Sequence, residues 1–207
     1  MIKAVIFDFG SVLVKGGEWR IIYSSIAKTL KISLRKIREI SRPLREKWSK
    51  NTIDEKKFWR ELEKRAGKKL PPNFKKDVWY RPYKERTKDM KESWRILKEL
   101  KKRRFRLALL SNIIPPTVKA NKDVGRFKRL KKIGFETLVL SCEVGCRKPE
   151  PKIYKIVLKR LNLPAKECLF IDDVLANIRA AQKMGMRGIH FKTPKQLRKE
   201  LIKLGLL

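Results

Sequence analysis

Histidine is almost absent from this chain: 207 residues include one His and only three Cys. A single His beside a C-x-x-x-C pair, Cys142 and Cys146, is poor spacing for a zinc centre. Three is also an odd number for a disulfide framework. Cys142 and Cys168 lie in or beside apolar runs and read as small core residues, so a reducing, cytoplasmic setting is expected. No apolar run approaches the length of a membrane span, and no small-x-small cleavage site follows the N-terminal apolar run.

Acidic residues are scarce too, 21 against 55 Lys plus Arg, for a formal net charge of +34. Such a field attracts polyanions and phosphorylated metabolites alike. The basic residues are spread along the chain rather than gathered in one arm, which favours a solvated basic surface and leaves nucleic-acid binding as a rival reading. Repeats and low-complexity linkers are lacking. With 42% hydrophobic residues, the length suits one main domain with room for an inserted module.

What is present is organised around residues 1–14, MIKAVIFDFGSVLV. Lys3 to Phe7 reads as a buried strand without polar alternation, as at the centre of a parallel sheet covered on both faces. Asp8 then falls at the strand's carboxyl end, the edge where ligands bind in open α/β sheets. Three later apolar runs are also followed by polar groups: LALLSN brings Ser111 and Asn112, CRKPEPKIY brings Lys148, and LFIDD brings Asp172 and Asp173. Singly, each reads equally as a turn, a surface cation or a helix cap.

From 16 to 85 the pattern is helical. Trp19, Ile22, Tyr23, Ile26, Ala27 and Leu30 share one face. Ser33 is placed to cap a second helix, and Thr52 or Asp54 a third that stops at Gly67. Pro71, Pro72 and Pro82 read as breakers. The Trp residues at helical spacing read as core. From Asp89 helix and strand alternate, the sign of a parallel α/β fold. Strands are expected over 105–110, 137–140, 168–171 and 188–191, with one helix within 121–133. Asn177 is placed to orient the acid pair or to sit exposed on its helix, and His190 to be a core residue.

The four motifs in this order resemble the haloacid dehalogenase-like hydrolases, and most closely their small phosphatases that begin FD-x-G, such as sugar-1-phosphate phosphatases. The resemblance implies a Rossmann-like parallel sheet with helices on both faces, formed by residues 1–15 and 86–207, and a small inserted helical cap, residues 16–85. It implies a phosphomonoester hydrolase acting on a small phosphorylated metabolite, with Asp8 as nucleophile and an aspartyl-phosphate intermediate. Lys148 would neutralise the phosphate and keep Asp8 ionised. Phe9 and Gly10 amides, Ser111, Asn112 and Lys148 would bind substrate. Mg²⁺ would be held by Asp8, the Gly10 carbonyl and the Asp172/Asp173 pair, with Asp173 in the inner shell. Two other readings stand beside it: a catalytically weak module binding nucleic acid or protein, and a 2-haloacid dehalogenase.

The chain departs from most such phosphatases at position 10, where Gly replaces the second Asp that acts as general acid and base. Loss of a positioned acid costs about 10²–10⁴ in rate. That points to substrates with good leaving groups, or to an acid from the helical module or the substrate.

Overall fold

The computed structural model describes residues 1–16, 19–75 and 78–207. Among these, no helix is long and apolar enough to cross a membrane.

Strand β1 (Ala4–Phe7) is wholly buried. Its side chains alternate between two apolar layers, which is why its sequence is apolar throughout. Val5 and Phe7 pack with Leu107, Leu109, Leu169 and Ile171 on one face, while Ala4 and Ile6 pack with Ala108, Leu110, Cys168 and Phe170 on the other. All three cysteines are free and buried.

The chain next forms β2 (Val14–Lys15), five helices, α1 (Trp19–Leu30), α2 (Leu34–Ser49), α3 (Glu55–Ala66), α4 (Pro72–Lys75) and α5 (Tyr80–Arg86), and β3 (Lys88–Asp89). Ser33 caps α2 by accepting from Lys36 N at 3.2 Å. Asp54 rather than Thr52 caps α3, accepting from Lys57 N at 2.7 Å. Thr52 instead donates its hydroxyl to Lys47 O. Pro82, expected as a breaker, sits in the first turn of α5, where its missing N–H removes no helical bond. These helices enclose a core of their own around Trp48, Phe58, Trp59 and Trp79, to which Ile114 is the contribution from outside the segment. The Trp48 and Trp79 rings meet edge-on at 5.5 Å.

Thereafter run α6 (Lys91–Lys102), β4 (Arg106–Ser111), α7 (Pro115–Asp123), α8 (Arg126–Ile133), β5 (Phe135–Leu140), α9 (Ser141–Val144), α10 (Pro151–Leu161), β6 (Cys168–Asp172), α11 (Leu175–Lys183), β7 (Arg187–His190) and α12 (Pro194–Lys203). The helix expected within 121–133 is α8, which ends at Gly134, and α7 precedes it. Pro115 and Pro116 open α7 at its first positions, where a missing N–H costs no helical bond.

The five-stranded sheet has the order β5-β4-β1-β6-β7, every pairing parallel. From β1 the chain builds outward on one side through β4 and β5, then crosses back along α10 to build outward on the other. The reversal falls at β1, and the carboxyl ends of β4, β1 and β6 flank one crevice, where an α/β sheet places its ligands.

The helical segment leaves and rejoins the core through β2 and β3, which pair antiparallel with Val14 opposite Asp89 and Lys15 opposite Lys88. Arg126 fastens this stem. Its buried guanidinium donates to Asp89 Oδ1, Thr87 Oγ1, Thr87 O and Asn121 Oδ1 at 2.8, 2.8, 2.8 and 3.1 Å. Arg126→Met is expected to destabilise the protein by about 2–3 kcal/mol, because Asp89 keeps Arg129 but the Thr87 carbonyl and Asn121 lose a charged donor. Urea unfolding measures it; a loss under half a kcal/mol would show the stem to be held elsewhere.

Candidate active site

Asp8 follows the last residue of β1, and its amide donates to Ile171 O at 2.8 Å, tying it to β6. Lys148 comes from the loop between α9 and α10. Its Nζ is buried and donates to three oxygens: Asp8 Oδ1 at 2.6 Å, Asp172 Oδ2 at 2.7 Å and Leu110 O at 2.7 Å. All three ammonium protons therefore have acceptors. Burial pulls the ammonium down, but the carboxylates of Asp172 and Asp8 outweigh it, and the Lys148 pKa is raised. Asp8 is pushed up to about 7, chiefly by burial, against the opposing pull of Lys148.

Asn112 holds this lysine in place. Its Nδ2 donates to Lys148 O and its Oδ1 accepts from Lys148 N, both at 2.8 Å. Expected among the substrate-binding residues, Asn112 thus gives both amide atoms to the Lys148 backbone. Ser111, which ends β4, is buried and lines the cavity. Phe9 turns its ring into the core, 5.5 Å from that of Phe127, so only its backbone is available to the site.

The two adjacent acids differ. Asp172 is fully buried and saturated: beyond Lys148 it accepts from Val174 N at 2.7 Å and from Asn177 Nδ2 at 3.0 and 3.1 Å. Asn177 therefore orients the acid pair. Asp173 is half-buried and lines the cavity; burial and then the charge of Asp172 raise its pKa, while Lys148 and the Ser11 hydroxyl pull it down. His190 packs behind it, Nε2 lying 3.0 Å from Asp173 O.

Ligand atoms of Asp8, Asp172 and Asp173 lie within 4.8 Å of one another. One ammonium against three carboxylates leaves net negative charge in a low-dielectric site, and the donors are all hard oxygens. That donor chemistry fits a divalent cation of the Mg²⁺ type. Since both Asp172 oxygens are already engaged, Asp173 and Asp8 are the carboxylates left to hold it.

Above these groups lies a cavity of about 460 Å³. The floor comprises Asp8, Ser111, Lys148 and Asp173, and the helical segment contributes Trp19, Ile22, Arg45, Ser49, Trp79 and Tyr83. Tyr83 accepts from Asn121 Nδ2 at 3.2 Å, and its pKa is raised by burial, with the charge of Asp8 among the contributors. Arg45, Tyr83 and Arg147 were not singled out in the sequence. Nothing in local pattern marks Arg45 and Tyr83, because they reach the site only through α2 and α5 of the helical segment. Arg147 instead stands beside Lys148 within the CRKPEPKIY stretch, where only the lysine was given a role.

Residues 2–185 match the family model described as haloacid dehalogenase-like hydrolase. The chain belongs to the haloacid dehalogenase-like hydrolases. Among curated relatives of this hydrolase, it is 39% identical over 66 residues to flavin mononucleotide hydrolase 1 of Arabidopsis thaliana, covering 32% of this chain and 27% of the relative. It is 41% identical over 59 residues to glyceraldehyde 3-phosphate phosphatase of Pyrococcus abyssi, covering 28% and 25%. In both the match spans about a quarter of the relative's length. A family enzyme of Bacteroides thetaiotaomicron, solved as a magnesium complex, shares the fold with a TM-score of 0.73 at 24% identity, covering 93% of this chain and 94% of that one.

Proposed function

We propose that this hydrolase is a Mg²⁺-dependent phosphomonoesterase acting on a small phosphorylated metabolite through an aspartyl-phosphate. The observation that carries the reading is the buried Lys148 ammonium joining Asp8 to Asp172 on the floor of the cavity. With Oδ1 fixed by Lys148, the other Asp8 oxygen attacks phosphorus, a P–O(Asp) bond forms and the ester P–O bond breaks. Water then attacks the acyl phosphate, releasing phosphate and restoring the carboxylate. Lys148 and the Phe9 and Gly10 amides, with Ser111, offer charge and donors to the phosphoryl oxygens. Asp8, the Gly10 carbonyl and Asp173 would hold Mg²⁺, with Asp172 behind them. Bound there, the cation supplies charge neutralisation for phosphate and nucleophile.

Residues 16–85 act in this reading as the cap, and residues 1–15 and 86–207 as the catalytic core. Their separate apolar cluster and the β2–β3 stem support that division. Three buried free thiols support a cytoplasmic setting. A 2-haloacid dehalogenase has no use for the acid pair, and a nucleic-acid module rests on net charge alone.

Hydrolysis of p-nitrophenyl phosphate with Mg²⁺, and after EDTA, tests the reading. Turnover is expected with Mg²⁺ and a fall of at least about 10²-fold on chelation, the scale of losing a group that stabilises transition-state charge. Turnover indifferent to EDTA would remove the metal from the account.

Position 10 gives a second test. A Cβ built on Gly10 meets no atom within 4 Å, so a side chain can start there without displacing its neighbours. Gly10→Asp is expected to raise the rate on alkyl phosphates relative to aryl ones by about 10²–10⁴, the usual contribution of a general acid. An unchanged ratio would mean that the leaving-group proton already has a source, for which Tyr83 is the placed candidate.

A further inference from the structure

The cavity carries charge that phosphate-ester hydrolysis does not require. Arg45, from α2, and Arg147, next to Lys148, both line it. The Arg45 guanidinium stacks over the Trp19 ring at 4.6 Å. Arg147 is mostly buried; its Nη1 lies 3.2 Å from Glu46 Oε1, while its Nε is shielded from solvent and has no hydrogen-bond partner among the described residues. Glu46 also serves Arg42 at 3.4 Å, so it does not neutralise both cavity guanidiniums. A buried donor without a partner and two like charges facing one cavity are each costly unless an acceptor anion joins them.

Both guanidinium residues line the same cavity as Asp8 and Lys148, and among the described contacts neither touches the Asp8, Asp172 or Lys148 side chains. Much of the remaining wall is apolar, with Trp19, Ile22, Trp79, Ile113 and Ile114.

We propose that Arg45 and Arg147 form a second anion subsite, and that the substrate is a phosphate monoester bearing a second anionic group, carboxylate or phosphate, across a short apolar spacer. This rests on the hydrolase reading for the placing of the scissile phosphate at Asp8. Planar guanidinium groups suit either anion, because both present paired oxygens to a fork of donors.

The test compares phenyl phosphate, 4-carboxyphenyl phosphate and 1,4-phenylene bisphosphate, which differ only in the group opposite the ester. Wild-type kcat/KM is expected to be 10- to 100-fold higher for the two-anion esters, on the order of a charge-assisted hydrogen bond or two. In Arg147→Met and in Arg45→Met the preference should fall toward one, mostly through KM, and Arg147→Lys should restore part of it. Whichever of the carboxylate and bisphosphate esters shows the larger preference names the second anion. A wild-type preference near one, or one the variants leave intact, overturns the subsite.

Calorimetric binding of the same esters to Asp8→Asn protein separates the two claims. Tighter binding of the two-anion esters that is lost in both arginine variants, without turnover in the wild type, would keep the subsite and discard the hydrolase. Turnover without preference would do the reverse, and neither turnover nor preference would discard both.

Discussion

Asp8→Asn is expected to lower p-nitrophenyl phosphate hydrolysis by on the order of 10⁴–10⁶-fold while the protein stays folded, a loss comparable with removal of other enzymic nucleophiles. The amide matches the carboxylate in shape, and Lys148 keeps Asp172 Oδ2 and Leu110 O as acceptors. What disappears is the one carboxylate oxygen able to form a bond to phosphorus from the tip of the central strand. No other group on the cavity floor replaces it: Asp172 is saturated, and Asp173 in the proposed function would hold the cation. Steady-state rates with a thermal melt beside them decide the matter. A variant within tenfold of the wild-type rate would end the nucleophile assignment.

Lys148→Met should produce the largest loss of stability, about 3–5 kcal/mol, the range for breaking a buried ion pair by removing one partner. Methionine fills much of the space but takes the Lys148 donor from Asp8 Oδ1 and Leu110 O and leaves Asp172 Oδ2 with Asn177 alone. For a chain of this size the melting point should drop by about 10 °C or more. The loss depends on pH with a definite sign. Asp8 is already raised to about 7 with the ammonium in place, so removing that ammonium raises it further. A carboxyl raised by folding favours the native state at low pH, and the benefit disappears as pH rises through the folded pKa. In EDTA the variant's deficit should therefore widen from pH 6 to pH 8, and Mg²⁺ should recover part of it at pH 8. A deficit that narrows toward pH 8 would mean that the carboxylates are not the groups left uncompensated.

The sheet and the floor of the site were legible because their causes are local. An apolar run ending in Asp8 can be covered on both faces only at the centre of a parallel sheet, and the same logic locates Ser111 and Asp172 at the ends of β4 and β6. Ser33 and Gly67 announced helix ends through their own chemistry, an accepting hydroxyl and a positive φ of 66°. Proline misled where its position in a helix decides its effect: Pro72 and Pro82 both lie in first turns. The β2–β3 pair is two residues per strand, too short for any period to register. Arg45 was illegible for another reason: its meaning lies in a cavity that α2 helps to line, and one Arg among so many cations has no local signature. Arg147 stood in the Lys148 motif but shows its role only beside α2, some hundred residues away in the chain.

Lys15 and Lys88 stand side by side on the β2–β3 ladder, although more than seventy residues separate them along the chain. Everything between departs and returns through a single narrow doorway. Helices there can lengthen, shrink or be traded for others while the register of the sheet, and with it the meeting of Asp8 and Lys148, stays put. In the proposed function, much of the choice of molecule and the breaking of the bond would thereby be inherited on separate stretches of sequence, joined by Arg147.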